Sequence, residues 1–152
     1  MSLDIKIYKA EKKDLNSVLK IENSSFNEID RFSKKTLIYF LNKKRLWVVK
    51  HKKNVVGYFI LICYKKSVRI YSIAVEKKYR KRGVGSKILY FILRFSKFLK
   101  KEKVVLEVRK SNKSISLYKK FGFKIKRILK DYYENEDGYK MELTFKNEKK
   151  GE

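Results

Sequence analysis

Strand, basic glycine loop and helix follow one another in a single stretch of this chain, and no other segment limits the fold as tightly. Val68 to Val75 is rich in β-branched and aromatic residues, the composition of a buried strand. Glu76 to Gly85 is basic and carries two glycines. Beyond it, Ile88, Leu89, Ile92, Leu93, Phe95, Ser96 and Leu99 keep an apolar face at helical spacing through Lys100. A strand that feeds a helix across a short loop is a building unit of α/β domains.

The loop has a chemical consequence. The first backbone N–H groups of a helix have no partner within it and stand at the positive end of its dipole. In Arg80-Lys81-Arg82-Gly83-Val84-Gly85-Ser86 the glycines allow close approach of the main chain, and the basic residues add charge. The segment therefore predicts a phosphate-bearing ligand. A P-loop needs four residues between its glycines and then Lys-Ser/Thr, which this segment lacks. A Rossmann fingerprint needs a further glycine where Ile88 stands. A glycine loop with merely solvated basic residues is the bland alternative.

The remaining elements complete an α/β reading with a mixed sheet. Leu3, Ile5 and Ile7 alternate as a first strand. Leu15, Val18, Leu19 and Glu22 follow helical spacing, and Asn23-Ser24-Ser25 is expected to break that helix. Ser33 is a plausible N-cap for a second helix through Leu37, Phe40 and Leu41. Leu46 to Val49 and Val55 to Ile62 read as a hairpin joined by Lys52-Lys53-Asn54. Val104 to Val108 is a short apolar strand, and Ile115 to Phe121 a helix stopped by Gly122. Phe123 to Leu129 and Tyr139 to Phe145 close the order β-α-α-β-β-β-α-β-α-β-β. Without proline, repeats or a Gly/Ser-rich linker, residues 1–145 read as one domain, and 146–152 as a charged, frayed tail.

Composition narrows the function classes. The 152 residues hold 41 Lys+Arg against 16 Asp+Glu, a net charge of +25. Such a field favours anionic partners, including nucleic acid, yet it equally fits a chain that uses lysine as its solubilising residue. Cys63 is the only cysteine, which rules out an internal disulfide, and it is expected to be a small hydrophobe in a buried strand. His51 is the only histidine; it reads as part of an exposed turn, so a multi-histidine zinc site is impossible. The acidic run Glu134 to Gly138 fails as a calcium loop because Tyr133 would hold its first ligand position. No apolar N-terminal run and no stretch near ~18 apolar residues is present, so a cytoplasmic protein without a membrane span is expected.

Arg80-x-x-Gly83-x-Gly85 after Ile73-Ala74-Val75 resembles the acetyl-CoA signature of the GNAT superfamily of N-acetyltransferases. Leu106-Glu107-Val108-Arg109 and Leu117-Tyr118-Lys119-Lys120-Phe121-Gly122-Phe123 look like the second hallmark of that family. Asp131-Tyr132-Tyr133, with Asp137-Gly138, is similar to the C-terminal segment of its RimI-like branch, which acetylates ribosomal-protein and other protein N-termini. The resemblance spans Tyr71 to Leu143, about half the chain.

The resemblance implies a GNAT-like domain whose strand through Ile73, Ala74 and Val75 splays from the next and pairs with the pantetheine arm of acetyl-CoA. It implies that the backbone of Lys81 to Ser86 holds the pyrophosphate beside Arg80, that Glu107 is the base, and that Tyr118 is the acid at the coenzyme A sulfur. A carboxylate accepts a proton, and a phenol of pKa ~10 keeps its own at neutral pH. Glu107 as a strand residue paired with Arg109 or a lysine, and Tyr118 as a packed aromatic, are the structural alternatives. Asn112 is the expected further cofactor contact, although Ser111 stands at the family spacing before Tyr118. Tyr132 and Tyr133 would line the peptide entrance. The acceptor implied is a protein N-terminus, possible rivals being a lysine side chain or a small amine. A basic nucleic-acid or ribosome-binding module is the reading from another class.

Overall fold

The structure, a computed structural model, describes residues 3–26 and 30–146. The N-terminal half runs β1 (Lys6–Lys9), α1 (Leu15–Ser25), α2 (Lys34–Asn42), β2 (Leu46–His51), β3 (Asn54–Cys63) and β4 (Ser67–Val75). It continues with α3 (Val84–Phe98), β5 (Lys103–Arg109), α4 (Ile115–Phe121), β6 (Lys124–Tyr133) and β7 (Glu136–Thr144). Single 3-10 turns lie at Lys12–Asp14 and Lys77–Tyr79. The element order matches the one read from the sequence. Seven strands hydrogen-bond in the order β1-β2-β3-β4-β5-β7-β6. The β4–β5 pair is parallel, while β1–β2, β2–β3, β5–β7 and β6–β7 are antiparallel, so the sheet is mixed.

The chain forms two compact units, one of Met1–Leu61 with Tyr71–Ile88 and one of Ile62–Ile70 with Leu89–Glu152. In the first, β1, β2 and β3 form an antiparallel ladder with a bulge between Val49 and Lys50. Val18, Ile21, Leu37, Val48, Val56, Phe59 and Ile60 are buried. Burial of each such side chain contributes about 1.5–3 kcal/mol, and together they hold the ladder. Ser33 caps α2 as expected, its hydroxyl accepting from Thr36 N at 3.2 Å. Two expectations need correcting here. Asn23, Ser24 and Ser25 lie inside α1, which ends at Ser25, and Ser24 Oγ turns back to donate to Ile21 O at 3.1 Å rather than leaving the helix. His51 is not in the turn but ends β2, with Nδ1 at 2.8 Å from Asp4 O, and Lys52–Lys53 alone turn the hairpin.

In the second unit β4 pairs with β5 from Ser67–Lys103 to Ile70–Leu106, and β5 with β7 from Lys103–Thr144 to Arg109–Gly138. Leu106, Val108, Tyr118, Phe123 and Met141 are buried. Gly122 ends α4 at φ 109°, a left-handed conformation that glycine adopts without strain. The helix through α3 stops at Phe98 rather than Lys100, since Lys100 turns left-handed at φ 59°. Cys63 is exposed, not buried, because it is the last residue of β3, where the sheet no longer covers it. The closing strands are longer than expected. Asn135 at φ 65° makes a tight turn, so Tyr132 and Tyr133 end β6 while Glu136 and Asp137 begin β7. The expected tail from residue 147 on lies outside the described residues.

Candidate active site

The β4–α3 loop is shaped as an anion cradle. Lys81 and Gly83 both take positive φ, 60° and 83°, and α3 begins at Val84. Gly83 O accepts from Lys87 N at 3.1 Å, which places Gly83 at the start of the helix. The first-turn amides of a helix this long carry the positive dipole end, and no acidic residue occurs from Lys77 to Lys87. These residues therefore fit a pyrophosphate. Arg80 Nε donates to Val75 O at 2.8 Å and its Nη2 to Ser25 Oγ at 3.2 Å, so the side chain braces the loop against the end of β4 and α1. Ala74 is buried in β4, flanked by half-buried Ile73 and Val75. Beside them Gly57 approaches so closely that a Cβ there would meet Ala74 O at 2.9 Å.

In the second unit the pairing of β4 with β5 ends at Ile70–Leu106, and β5 runs on to present Glu107. Alternation along β5 buries Leu106 and Val108 and turns Glu107 to the opposite face. Its Oε1 accepts from Arg69 Nη2 at 2.7 Å and from the Tyr132 hydroxyl at 2.6 Å. The bond to the Glu107 carboxylate is the main reason the Tyr132 phenol is held above its usual range. Burial is the largest influence and works against the Arg69 charge, but Glu107, Tyr64 and Tyr132 together outweigh it, and the guanidinium is held above its ordinary value. Tyr133 stands edge-on to Tyr132 at 5.0 Å and lies under the Arg109 guanidinium at 4.8 Å. Burial, then the nearby Glu107, pushes the Tyr133 phenol up to about 12.

Arg109 itself pairs with Glu136 at 3.1 Å. Glu136 also accepts from Ser111 Oγ and N, and the Ser111 bond is the leading cause that lowers its carboxyl. Tyr118 is 4% exposed on α4, edge-on to Phe123 at 5.8 Å, and burial alone pushes its phenol up to about 12. It is protonated at any physiological pH. Asn112 Oδ1 accepts from Ser114 N at 2.7 Å, so that side chain stabilises the start of α4.

The Acetyltransferase (GNAT) domain matches residues 42–125, more than half of the chain. The chain belongs to the GNAT acetyltransferase family. An N-alpha-acetyltransferase of Sulfurisphaera tokodaii is 43% identical to this GNAT protein over 79 residues, 50% of this chain and 47% of the relative. The match thus spans about half the length of that relative. Among solved structures, Ard1 from Thermoplasma volcanium superposes with a TM-score of 0.85 at 27% identity, over 94% of this chain and 99% of that one. Arabidopsis thaliana Naa50, solved in complex with the bisubstrate analogue CoA-Ac-MVNAL, gives 0.78 at 26% identity, over 94% and 100%.

Two features escaped the sequence reading. Arg69 reads as one more strand arginine, and only the parallel pairing of β4 with β5 brings it to Glu107, 38 residues away. The other is an aromatic cluster in the first unit, where Phe32 stacks on Tyr71 at 5.7 Å and Phe40 stands 5.3 Å from Tyr71. Buried Glu22 anchors it, with Oε2 accepting from Phe32 N at 2.7 Å. Tyr71, the one aromatic residue of β4, was the available signal.

Proposed function

We propose that this protein transfers acetyl from acetyl-CoA to the N-terminal α-amino group of proteins, in the manner of the RimI-like branch, and does so in the cytoplasm. The observation that carries the reading is Glu107, a carboxylate with one oxygen gripped by Arg69 and Tyr132. Two donors on one oxygen fix the carboxylate plane, which a proton acceptor needs.

Bound acetyl-CoA supplies the acetyl group as an activated thioester. The backbone of Lys81 to Ser86 holds its pyrophosphate, with Arg82 adding charge, and the edge of β4 from Ile73 to Val75 takes its pantetheine arm. Asn112 offers its amide NH2, since its oxygen is committed to Ser114. Glu107, directly or through one water, takes the proton of the acceptor ammonium. Tyr118 keeps its proton in the resting site and offers it to the leaving sulfur. The burial that raises the phenol penalises a thiolate beside it in the same sense, so the offer stays favourable.

Tyr132 and Tyr133 sit where a peptide would meet Glu107. Their hairpin is drawn together by Asp131 N donating to Asp137 Oδ1 at 2.8 Å, which joins the two halves of the RimI-like motif. The N-alpha-acetyltransferase relative and the peptide-mimicking analogue on Naa50 support a peptide acceptor, ribosomal proteins among them. Acetylation of a lysine side chain or a small amine is the rival within the same chemistry. Acetyl-CoA titration by calorimetry, followed by thiol release against short peptides, polyamines and free lysine, separates them. Turnover on peptide N-termini that is lost in Glu107→Gln and Tyr118→Phe is expected. Turnover only on small amines would overturn the acceptor, and absence of acetyl-CoA binding would overturn the reading.

A further inference from the structure

A groove of about 1430 Å³ opens in the first unit beside the pyrophosphate loop, although none of Arg80 to Ser86 lines it. Its wall is drawn from β1, the first face of α1, the β2–β3 hairpin and the turn at Lys77–Tyr79. Eight lysines and three acidic residues line it, a balance of 8 − 3 = +5.

Two of the three acids are already paired. Asp14 is buried, paired with Lys50 at 3.1 Å, and accepts from Glu11 N at 2.8 Å. Glu76 lies 3.7 Å from Lys78. Lys9 donates to Lys44 O at 2.7 Å and covers the Trp47 ring. The other five lysines are exposed, and among the described residues none has a carboxylate within 4.0 Å. Lys13 and Lys20 stand on one side, Lys52 and Lys53 on the hairpin, and Lys77 at the far end. Uncompensated like charges around a concavity repel one another and focus a positive field into it.

The chemistry of the lining selects the ligand. The cations of the lining are all lysines, whose ammonium groups serve phosphates as point charges. Its concavity does not suit a flat bilayer. Two tyrosines share the lining: Tyr8, 46% exposed, with the Lys50 ammonium over its ring at 5.7 Å, and half-buried Tyr79, with Lys78 at 5.5 Å and Arg82 at 5.9 Å. Rings beside a track of cations are what a flexible strand of nucleotides uses, phosphates on the cations and bases on the rings. We propose that this groove binds a single-stranded nucleic-acid segment, so that the protein docks on RNA through a surface separate from its transfer chemistry.

The test is binding of a fluorescent oligouridylate, followed by anisotropy as salt rises from ~50 to ~200 mM. Joint replacement of Lys13, Lys20, Lys52 and Lys53 by Gln is expected to weaken binding at least ~tenfold and to reduce the slope of log K against log salt by about 3, the value for four single-strand phosphate contacts. Replacing Lys97, Lys100, Lys124 and Lys126 by Gln removes the same charge elsewhere and should cost less than ~threefold. Tyr8→Ala should weaken binding roughly tenfold with the salt slope unchanged. The groove quadruple changed to Arg should still bind, and thiol release with a short peptide should be unaltered in every variant, which shows each to be folded. The proposal fails if the wild type does not bind, or if the two Gln quadruples weaken equally. It also fails, in favour of an acidic protein partner, if polyglutamate displaces the oligonucleotide at equal charge concentration.

Discussion

Arg69 and Glu107 form a 2.7 Å charge-assisted hydrogen bond between the parallel strands β4 and β5. Their side chains are 29% and 22% exposed, so the pair is partly screened and its worth lies more in aim than in stability. The Tyr132 hydroxyl closes on the same oxygen from β6, so three strands set the position of one carboxylate.

Arg69→Gln is therefore expected to lower kcat about tenfold to a hundredfold while leaving the Kd of acetyl-CoA unchanged, with Arg69→Lys recovering part of the loss. Glu107→Gln should cost ~10²–10⁴ in kcat by the same assay. Equal loss of acetyl-CoA binding in either variant would refute a role confined to the proton acceptor.

Tyr118 ties activity to alkaline stability. Its folded pKa of about 12 exceeds the ordinary 10.0, so its contribution is intact below pH 10 and is lost as pH rises through 12. At pH ~11 the cost is about 1.4 kcal/mol. Urea unfolding at pH ~9 and ~11 should show that difference shrink in Tyr118→Phe, and the same variant should lose turnover at neutral pH.

Glu22 works in a different window. Burial raises its carboxyl from 4.5 to about 7, against the Phe32 N–H bond and Arg31, which lower it. A raised folded value means the contribution is fully present below pH 4.5 and is lost as pH climbs through 7. The loss is on the order of 3 kcal/mol. One of its oxygens, Oε1, is buried with no hydrogen-bond partner among the described residues. Glu22→Gln should flatten the dependence of the urea midpoint on pH between ~5 and ~8, and a variant as pH-sensitive as the wild type would contradict the assignment.

Gly138 makes room for Tyr133. A Cβ at that position would lie 2.5 Å from Tyr133 Cε2 and 3.0 Å from Val108 O. Gly138→Ala must push the Tyr133 ring off Arg109 and away from Tyr132. The expected result is a peptide KM raised several-fold, with acetyl-CoA affinity unaltered by calorimetry.

The order of elements and the glycine loop were legible in the sequence because each rests on local physics, whereas the roles given to Glu107 and Tyr118 came from the family resemblance. Periodicity of apolar residues marks strands and helices, and a glycine between strand and helix marks an anion cradle. Gly122 and Ser33 announced a helix end and a helix start for the same reason. The partners of those residues were not legible. Glu107 with Arg69, Arg80 turned to Val75 and Ser25, and Tyr132 on a strand that reaches Glu107 all depend on register. Register is a property of paired strands, set by turns such as Asn135 and by which face of β5 meets the core. Likewise the scattered lysines of the first sixty residues became a groove only when α1, the β2–β3 hairpin and the turn at Lys77–Tyr79 came together. Local sequence determines which elements form and what chemistry each carries. Tertiary structure decides which charges meet, because attraction and burial act across distances that no spacing along the chain encodes.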